Sequence, residues 1–413
     1  MQELSRYAVG LDVGTTTVRC AVGQVGESGV MTVVGVGEAP NNGMRKGTVV
    51  NMVNTAQAID KALEVAERMT GQPINAATVS VNGGHVVGMS SRGVIAISPN
   101  GQGINEHDLL RVQDAATVMQ LPANREILEV TPRSYQLDSQ DNIKDPIGMS
   151  GVRLEVDAHV ITTLSPNIKN LVKACEMTQT QPRGLKLSVL AASKVALSQQ
   201  LVENGVVLID LGGTTTSLAV YEEGDLQHVA VLPIGSVNIT NDLAIGLKTD
   251  LDIAEEIKLK HATAGKRESK HIDVTHGKEK LSFRSDEIDE IVDARLEEIF
   301  ELVNKELKSI GRAAKLPGGA VLTGGGAALA GISEYAKEAL SLPVRLVKLD
   351  EYAKVSDVVK HPAYATALGL MLIDNEGGTH TGSANDNKPS ESLMNITKGA
   401  TGLVSNLLKR FKS

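Results

Sequence analysis

The spacing of apolar and polar positions changes along the chain, and each spacing predicts a different element. Near the amino terminus, short β-type runs separated by glycine-containing turns predict a three-stranded meander. These runs are Tyr7–Val13, Val18–Val25 and Met31–Gly37. After Asn51, apolar residues recur every three to four positions until Gly71, which predicts a helix bounded by these two residues. A further strand is predicted at Ala77–Asn82, where two glycines end it.

The same succession of predicted strands returns in the second half of the chain. Three strand-like runs again follow one another, at Val206–Leu211, Ser217–Tyr221 and Leu226–Leu232. The first turn also repeats, because Asp12-Val13-Gly14-Thr15-Thr16-Thr17 is echoed by Asp210-Leu211-Gly212-Gly213-Thr214-Thr215-Thr216. An internal repeat of this kind predicts two similar lobes.

Two segments add to this repeat. Residues 85–163 read as a self-contained insert with a β-hairpin, a helix over Glu106–Met119 and two further strands. Residues 258–315 are more charged and contain a helix with one apolar face, which predicts a cap on the second lobe. That face carries Ile288, Ile291, Val292, Leu296, Ile299, Val303, Leu307 and Ile310. The histidines of this section, His261, His271 and His276, lack metal-ligand spacing and are expected in solvated loops.

The carboxyl-terminal segment differs from the rest in composition. Residues 374–390 contain no apolar side chain larger than alanine, which predicts a flexible linker. Apolar residues then recur at helical spacing among basic ones, which predicts an interfacial amphipathic helix. Its membrane-facing set is Leu403, Val404, Leu407, Leu408, Lys409, Arg410, Phe411 and Lys412. The alternative is a helix that docks on the folded body.

Length, charge and cysteine content narrow the class of protein. A chain of 413 residues predicts two or three compact units or one deeply lobed pair. A net charge of -8 without a basic stripe excludes a nucleic-acid partner. Cys20 and Cys175 stand alone in apolar surroundings, which indicates neither a disulfide framework nor a metal site and suits a reducing cytoplasm. No secretory signal pattern opens the chain.

Three glycine-rich turns carry the candidate chemistry. A strand that ends in Asp12 before a Gly-Thr turn offers a carboxylate for Mg²⁺ and backbone N–H groups for phosphate oxygens. Asp210 with Gly212 and Gly213 offers the same groups again, and Thr323-Gly324-Gly325-Gly326 adds a flat third turn. One such turn alone is more often a simple tight hairpin. Three in this order predict a nucleotide site, although P-loop and dinucleotide-binding motifs are absent.

The ordered set of Asp12-x-Gly-Thr, Asp210-x-Gly-Gly-Thr and Thr323-Gly-Gly-Gly resembles the actin, Hsp70 and sugar-kinase superfamily. Within it, the chain resembles the bacterial cell-division family FtsA from about residue 7 to 373, most specifically in Lys144-Asp145-Pro146-x-Gly148-Met149-x-Gly151-Val152-Arg153, which follows Asn142-Ile143. The resemblance implies an α/β, two-lobed actin-like (ribonuclease H-like) fold. It also implies an inserted subdomain displaced within the first lobe and a carboxyl-terminal amphipathic helix.

The resemblance implies these boundaries: 1–84 and 164–196 for the first lobe core, 85–163 for the inserted subdomain, 197–257 and 316–373 for the second lobe core, 258–315 for its cap, 374–391 for the linker and 392–413 for the membrane helix.

The resemblance also implies an ATP and Mg²⁺ site. The nucleotide-binding residues would be Asp12, Gly14, Thr15, Thr16, Asp210, Gly212, Gly213, Thr214, Thr215, Glu255, Lys258, Gly324, Gly325 and Gly326. Of these, Asp12 and Asp210 would lie on the metal side and act through the waters of Mg²⁺.

The family function implied is a scaffold that polymerises with ATP at the cytoplasmic face of the cell membrane, at the division site. It would tether filaments of the tubulin-like protein FtsZ, bind anionic lipids and recruit later division proteins. Arg295 and Asn304 match positions that receive the C-terminal peptide of FtsZ, although a solvated helix face would show the same residues. The alternatives are a pilus-assembly relative and, with less support, a small-molecule kinase.

One position departs from the family pattern. The second phosphate loop of the family usually ends in an acidic residue, where this chain has Ser217. A missing carboxylate weakens the positioning of metal or water. We therefore expect ATP hydrolysis to be slow or undetectable, and no residue is assigned a firm catalytic role.

Overall fold

The computed structural model describes residues 7–26, 30–97, 103–265, 268–276, 279–353 and 356–378. The predicted membrane helix and most of the predicted linker, from residue 379 onward, lie outside these residues. The first half of the chain contains β1 (Tyr7–Val13), β2 (Thr17–Val25), β3 (Met31–Pro40), β4 (Met44–Arg45), β5 (Thr48–Val49), α1 (Met52–Thr70), β6 (Ala76–Val81), β7 (Val87–Ala96), α2 (Glu106–Ala116), β8 (Arg125–Leu137), β9 (Gln140–Ile143), β10 (Arg153–Leu164), α3 (Ser165–Glu176), β11 (Gln181–Leu187) and α4 (Ser188–Ala196).

The second half contains α5 (Gln199–Asn204), β12 (Val206–Leu211), β13 (Thr216–Glu222), β14 (Asp225–Leu232), α6 (Ser236–Gly246), α7 (Leu251–Lys260), β15 (His271–His276), β16 (Glu279–Arg284), α8 (Ser285–Ser309), β17 (Gly319–Thr323), α9 (Ile332–Leu340), β18 (Val344–Leu346) and α10 (Ala365–Gly378). Short 3-10 turns lie at Gly325–Ala328, Asp350–Tyr352, Asp357–Lys360 and Pro362–Tyr364.

Two five-stranded sheets of the same design confirm the predicted pair of lobes. The first has the order β11-β6-β1-β2-β3 and the second the order β18-β17-β12-β13-β14. In each, three consecutive strands form an antiparallel meander, and the later strands pair in parallel with its first strand and then with each other. The sequence repeat is therefore a repeat of topology.

Helix α1 shows how local sequence sets an element. The side chain of Asn51 accepts a hydrogen bond from the backbone N–H of Asn54, and Gly71 ends the helix in the left-handed conformation at φ 67°. Small side chains let the helix approach the sheet closely, since a β-carbon on Gly37 would lie 2.0 Å from the carbonyl oxygen of Ala62. Both predicted helix ends are confirmed.

The insert is an antiparallel sheet of order β7-β10-β8-β9 with α2 on one face. A β-carbon on Gly93 would lie 2.1 Å from the carbonyl oxygen of Val112, so helix and sheet touch through their backbones. Helix α2 ends at Ala116 rather than at the predicted Met119. The hydroxyl of Thr117 donates to the carbonyl of Asp114 at 2.7 Å, which ends the helix before the exposed Val118.

The charged section of the second lobe contains a hairpin, β15 with β16, that the sequence prediction placed in loops. His271 and His276 therefore lie on a strand, which corrects the prediction of a loop. Ile272 and Val274 point into the core of the lobe while their neighbours are exposed. This alternation covers too few residues to stand out within a charged sequence.

The linker begins later than predicted, because α10 continues to Gly378. Asp374 is 3% exposed, so the first residue assigned to the linker belongs to the folded body. Its carboxylate accepts from the N–H of Val9 at 3.0 Å and the hydroxyl of Thr78 at 2.9 Å, and it pairs with Arg183. From composition alone, an aspartate at the start of a polar, glycine-containing segment is expected to be exposed to solvent.

No helix in the described part of the chain combines the length and the apolar character needed to cross a bilayer.

Candidate functional site

A cavity of about 550 Å³ lies between the two lobes, where the three glycine-rich turns meet. Its volume is typical of small-molecule sites. Every residue of the predicted nucleotide set lines it except Thr214. The predicted metal-side residues, Asp12 and Asp210, both lie in its wall.

The first turn, between β1 and β2, is held by hydrogen bonds from three residues outside it. The hydroxyl of Ser80 donates to Oδ1 of Asp12 at 2.8 Å, which fixes the carboxylate. Asn41 donates to the carbonyl of Gly14 at 2.8 Å, and the N–H of Gly47 donates to Oγ1 of Thr15 at 3.1 Å. The turn is therefore rigid before any ligand binds.

The second turn, between β12 and β13, touches the first across the cavity. A β-carbon on Gly213 would lie 2.6 Å from Cγ2 of Thr16, so a larger residue would force the two turns apart. The hydroxyl oxygen of Thr214 is buried and has no hydrogen-bond partner among the described residues. Thr214 is absent from the residues that line the cavity, so its assignment to the nucleotide site stays a prediction.

The two carboxylates lie at the ends of equivalent strands, where Asp210 is buried and Asp12 is half-buried. Loss of hydration raises the pKa of Asp12 above its usual range, against the lowering effect of its hydrogen bond with Ser80. Burial, and then the charge of Asp12, raises the pKa of Asp210 to about 7. Two carboxylates of raised pKa are a donor set that suits a hydrated divalent cation, because its charge would offset both costs.

The third turn packs directly on the second. Gly324 has a φ of 84°, and a β-carbon there would lie 2.2 Å from Oδ1 of Asp210. A β-carbon on Gly325 would meet nothing within 4 Å, so this face of the turn is open to the cavity. A flat backbone surface of this kind is suited to an aromatic ring.

Glu255 and Lys258 form one cluster at the far end of the cavity, on α7. The ammonium of Lys258 donates to Oε2 of Glu255 at 2.6 Å and to the hydroxyl of Thr240 at 2.9 Å. The hydroxyl of Thr240 also donates to Glu255. Lys258 is held between two acceptors, so its ammonium has a fixed position at the cavity.

Ser217 lies behind the second turn and is fully buried. Its hydroxyl donates to Oδ1 of Asn82 at 3.1 Å, and the amide of Asn82 donates to Oγ1 of Thr215 at 3.3 Å. Asn82 belongs to the first lobe, so these bonds join the lobes beside the cavity. Where the family pattern has a carboxylate, this chain has a hydroxyl already engaged in a contact between lobes.

Several lining residues were not predicted from the sequence. They include Arg19, Gly47, Asn82, Ser188, Ser236, Leu259, His361 and Thr366. Most lie outside the three turns and carry no short motif. Ser236 could have been predicted from the sequence. Pro233, Ile234 and Gly235 follow a strand and precede a helix that begins at the cavity.

The structure separates the two residues predicted to bind the FtsZ peptide. Asn304 lines a groove of about 370 Å³ between α8 and α9 and donates to the carbonyl of Ala339 at 2.8 Å. The guanidinium of Arg295 is absent from that groove, since it is bonded to Asp242 at 2.6 and 2.9 Å and to Glu298. The groove has an aromatic floor and an acidic rim, formed by Phe300, Tyr335, Glu297, Glu301 and Glu338.

Two family descriptions match the sequence. "Cell division protein FtsA" matches residues 207–369, and "SHS2 domain inserted in FTSA" matches residues 83–162. The cell division protein FtsA of Pseudomonas aeruginosa is 37% identical over 375 residues, which cover 89% of this chain and 89% of that relative. The second match coincides with the insert seen in the structure.

Solved structures support the same fold. The PilM–PilN type IV pilus biogenesis complex superposes with a TM-score of 0.65 at 17% identity, covering 89% of this chain and 98% of that chain. MreB5 of Spiroplasma citri bound to AMPPNP superposes with a TM-score of 0.55 at 13% identity, covering 92% and 98%. These likenesses confirm the predicted two-lobed, actin-like architecture.

Proposed function

Since this chain belongs to the FtsA family of cell division proteins, we propose that it binds ATP with Mg²⁺, polymerises on the cytoplasmic face of the cell membrane and tethers FtsZ there. The observation that carries the proposal is the meeting of three glycine-rich turns and two carboxylates in one cavity between lobes. The MreB5 structure of similar fold holds AMPPNP, an ATP analogue.

The chain's own residues divide the nucleotide between the lobes. Backbone N–H groups of the first two turns, at Gly14 to Thr16 and Gly212 to Thr215, would cradle the phosphates. Asp12 and Asp210 would hold Mg²⁺ through its waters. The backbone of Gly324 to Gly326 would lie against the adenine ring, with Glu255 and Lys258 at the ribose side. When bound, the cation would neutralise part of the phosphate charge.

Hydrolysis would be slow for a reason visible in the site. Attack on the γ-phosphate needs a group that orients water. Ser217 is buried and bonded to Asn82, so its hydroxyl faces the junction between the lobes. The nucleotide would then act mainly as a structural ligand that favours the closed, polymer-forming body.

Membrane attachment would rest on the carboxyl-terminal helix. Partial insertion of Leu403, Val404, Leu407, Leu408 and Phe411 would contribute on the order of 5 kcal/mol, and each nearby basic residue about 1 kcal/mol at an anionic surface. The cost of ordering the helix reduces this sum to a weak anchor. Many anchors in one filament would bind together through effective concentration.

The groove between α8 and α9 would receive the C-terminal peptide of FtsZ. Its aromatic floor and acidic rim suit a peptide that presents an apolar side chain beside a basic one. Asn304 lies in the groove and would contact the peptide directly. Arg295 would act at a distance, by holding α8 against α6 through Asp242. Later division proteins would bind the assembled filament.

The two alternatives have less support. A pilus-assembly role rests on a likeness of fold at 17% identity, whereas the division-protein relative is 37% identical. A small-molecule kinase needs a carboxylate positioned to accept a substrate proton. Asp12 and Asp210 are the carboxylates at the phosphate side of the cavity, and both suit the cation role.

Electron microscopy of the full chain on an anionic lipid monolayer with ATP and Mg²⁺ tests the proposal. Two matched variants accompany it: a truncation after Gly378, which keeps Asp374 in place, and the full chain with Leu407→Glu. We expect membrane-bound filaments from the full chain alone. If neither lipid binding nor filaments are seen for the full chain, the scaffold role is wrong, and phosphoryl transfer to small molecules should then be screened.

A further inference from the structure

The string from Lys144 to Arg153, the most specific of the sequence motifs, lies in the insert and contributes no residue to the lining of the nucleotide cavity. Its structure shows where Lys144 is directed. The ammonium donates to the backbone carbonyl of Glu223 at 2.6 Å and pairs with the carboxylate of Asp225. Glu223 lies in the turn between β13 and β14 of the second lobe, and Asp225 begins β14. The motif therefore places the ammonium of Lys144 against the second lobe.

Arg133, on β8 of the insert, makes a second contact of the same kind. Its guanidinium donates to the backbone carbonyls of Leu226 at 3.1 Å and Gln227 at 2.7 Å. Both carbonyls lie on β14, the edge strand of the second sheet. His159 Nδ1 lies 2.6 Å from Nη2 of Arg133 and accepts from it, which orients the guanidinium. Two cations of the insert thus bind the backbone of one hairpin.

The insert is also fixed to the first lobe. Lys186 of β11 pairs with Glu129 of β8 at 2.8 Å. At the junction where the chain enters and leaves the insert, Nδ1 of His85 lies 2.8 Å from the hydroxyl of Thr163. Arg125 donates to the carbonyl of His85 at 2.9 Å. The insert consequently bridges the two lobes.

Strand β13 connects this bridge to the nucleotide cavity. Thr215, immediately before β13, lines the cavity, and Glu222 ends the strand next to the residues that Lys144 holds. A strand of seven residues spans roughly 23 Å. Hydrogen bonding to both neighbouring strands makes β13 stiff, so a constraint at its far end limits movement of the phosphate turn.

We propose that Arg133 and Lys144 are positioning residues that hold the lobes closed over the nucleotide and so set the rate of its release. The inference rests on the proposed nucleotide binding. Release from a cavity between lobes requires the lobes to part, and parting would break the contacts of both cations with the second lobe. A partner that moves the insert would therefore change nucleotide exchange.

The test is a stopped-flow chase of a fluorescent N-methylanthraniloyl-ATP, with Mg²⁺, from the full chain by excess ATP. The variants are Arg133→Gln, Lys144→Gln and Lys144→Arg. The control is Arg92→Gln, because Arg92 is an exposed cation of the insert that pairs within the insert, with Asp157 and Glu155. Melting temperatures identify variants that have lost the fold.

We expect roughly tenfold faster release from each glutamine variant, since each loses charged hydrogen bonds to the second lobe. The Lys144→Arg and Arg92→Gln variants should release at the native rate. Native release rates from folded Arg133→Gln and Lys144→Gln would overturn the inference. Equal acceleration in Arg92→Gln would overturn it too, because a general loosening of the insert would then be the cause.

A distance measurement tests the bridge even if the native chain binds no nucleotide, an outcome that would reject the proposed function. Spin labels at Lys61→Cys on α1 and Lys337→Cys on α9 report the separation of the lobes, and both native cysteines are buried. Pulsed electron resonance should give a broader distance distribution in Arg133→Gln than in Arg92→Gln. An unchanged distribution would contradict the bridge.

Discussion

Gly324 lies directly against Asp210: a β-carbon at position 324 would be 2.2 Å from the carboxylate oxygen, nearer than two non-bonded atoms can approach. The third turn thus forms the back wall for the carboxylate at the end of β12. Any side chain there must move either the turn or the acid.

Replacing Gly324 with alanine should impair both fold and nucleotide site. The φ of 84° is costly for alanine, by about 1 kcal/mol or more, and displacement of Asp210 should weaken nucleotide affinity at least roughly tenfold. Gly325→Ala is the matched control for stability, because its β-carbon meets no protein atom within 4 Å. Thermal melting and titration with fluorescent ATP measure the two effects. Equal melting temperatures for the two variants would contradict the close contact.

Asn304→Ala should weaken binding of the C-terminal peptide of FtsZ by roughly tenfold and should cost about 1 kcal/mol of stability or less, because its hydrogen bond to the carbonyl of Ala339 is lost. Asn304 lines the groove, whereas Arg295 is bonded to Asp242 and Glu298. Arg295→Gln should instead cost about 1–2 kcal/mol of stability. Lys305→Ala, an exposed neighbour on α8, is the control. Fluorescence anisotropy of a labelled peptide gives the affinities. Loss of binding in a fully stable Arg295→Gln would show that the arginine contacts the peptide.

The stability of the chain should depend on pH through His159. Burial, followed by the charges of Arg133 and His228, lowers the pKa of His159 from 6.5 to about 3. Between these values the unfolded chain binds a proton that the folded chain does not, so stability is full above pH 6.5 and falls with acidification.

From pH 6.5 to roughly pH 4.5, the unfolding free energy of the native chain should fall by about 2–3 kcal/mol more than that of His159→Gln. Urea unfolding at several pH values measures this difference. His107→Gln, on the exposed surface of α2, should keep the native pH dependence. Parallel curves for the native chain and His159→Gln would show that the histidine is not held neutral.

Asp374→Asn should destabilise the first lobe. The carboxylate accepts hydrogen bonds from Val9 and Thr78 and pairs with Arg183, and it is 3% exposed. Loss of its charge leaves Arg183 without a partner for its charge, at a cost of about 2–4 kcal/mol. Asp357→Asn should cost much less, because its carboxylate pairs with Lys360 at the fully exposed surface, where water screens the charges. Chemical denaturation of both variants compares them, and equal losses would argue against the buried cluster.

The sequence alone was enough to predict those parts of the site that depend on residues close together in the chain. Asp12 and Asp210 each end an apolar strand before a glycine turn, and this local pattern forms the same hairpin wherever it occurs. Glu255 and Lys258 were placed by family resemblance, and the structure brings both to the cavity.

Residues brought together by the fold could not be predicted in the same way. Asn82 reaches Thr215 across 133 positions of sequence, and no local pattern connects them. Asp374 precedes a polar segment and reads as solvated, although donors from separate strands surround it. Hairpin β15–β16 was missed because its apolar alternation is short. These features depend on contacts that form only when distant strands meet.

The bond from Val9 to Asp374 joins positions 365 residues apart, which has a consequence for synthesis on the ribosome. At typical elongation rates the second partner emerges roughly 20 to 70 seconds after the first. The five strands of the first sheet have all been made once Leu187 has emerged, but β1 gains its contact with Asp374 only when nearly the whole chain has been made. The amphipathic segment follows Asp374, so prematurely terminated chains would lack it. Only chains that can close their first lobe would then carry a lipid anchor.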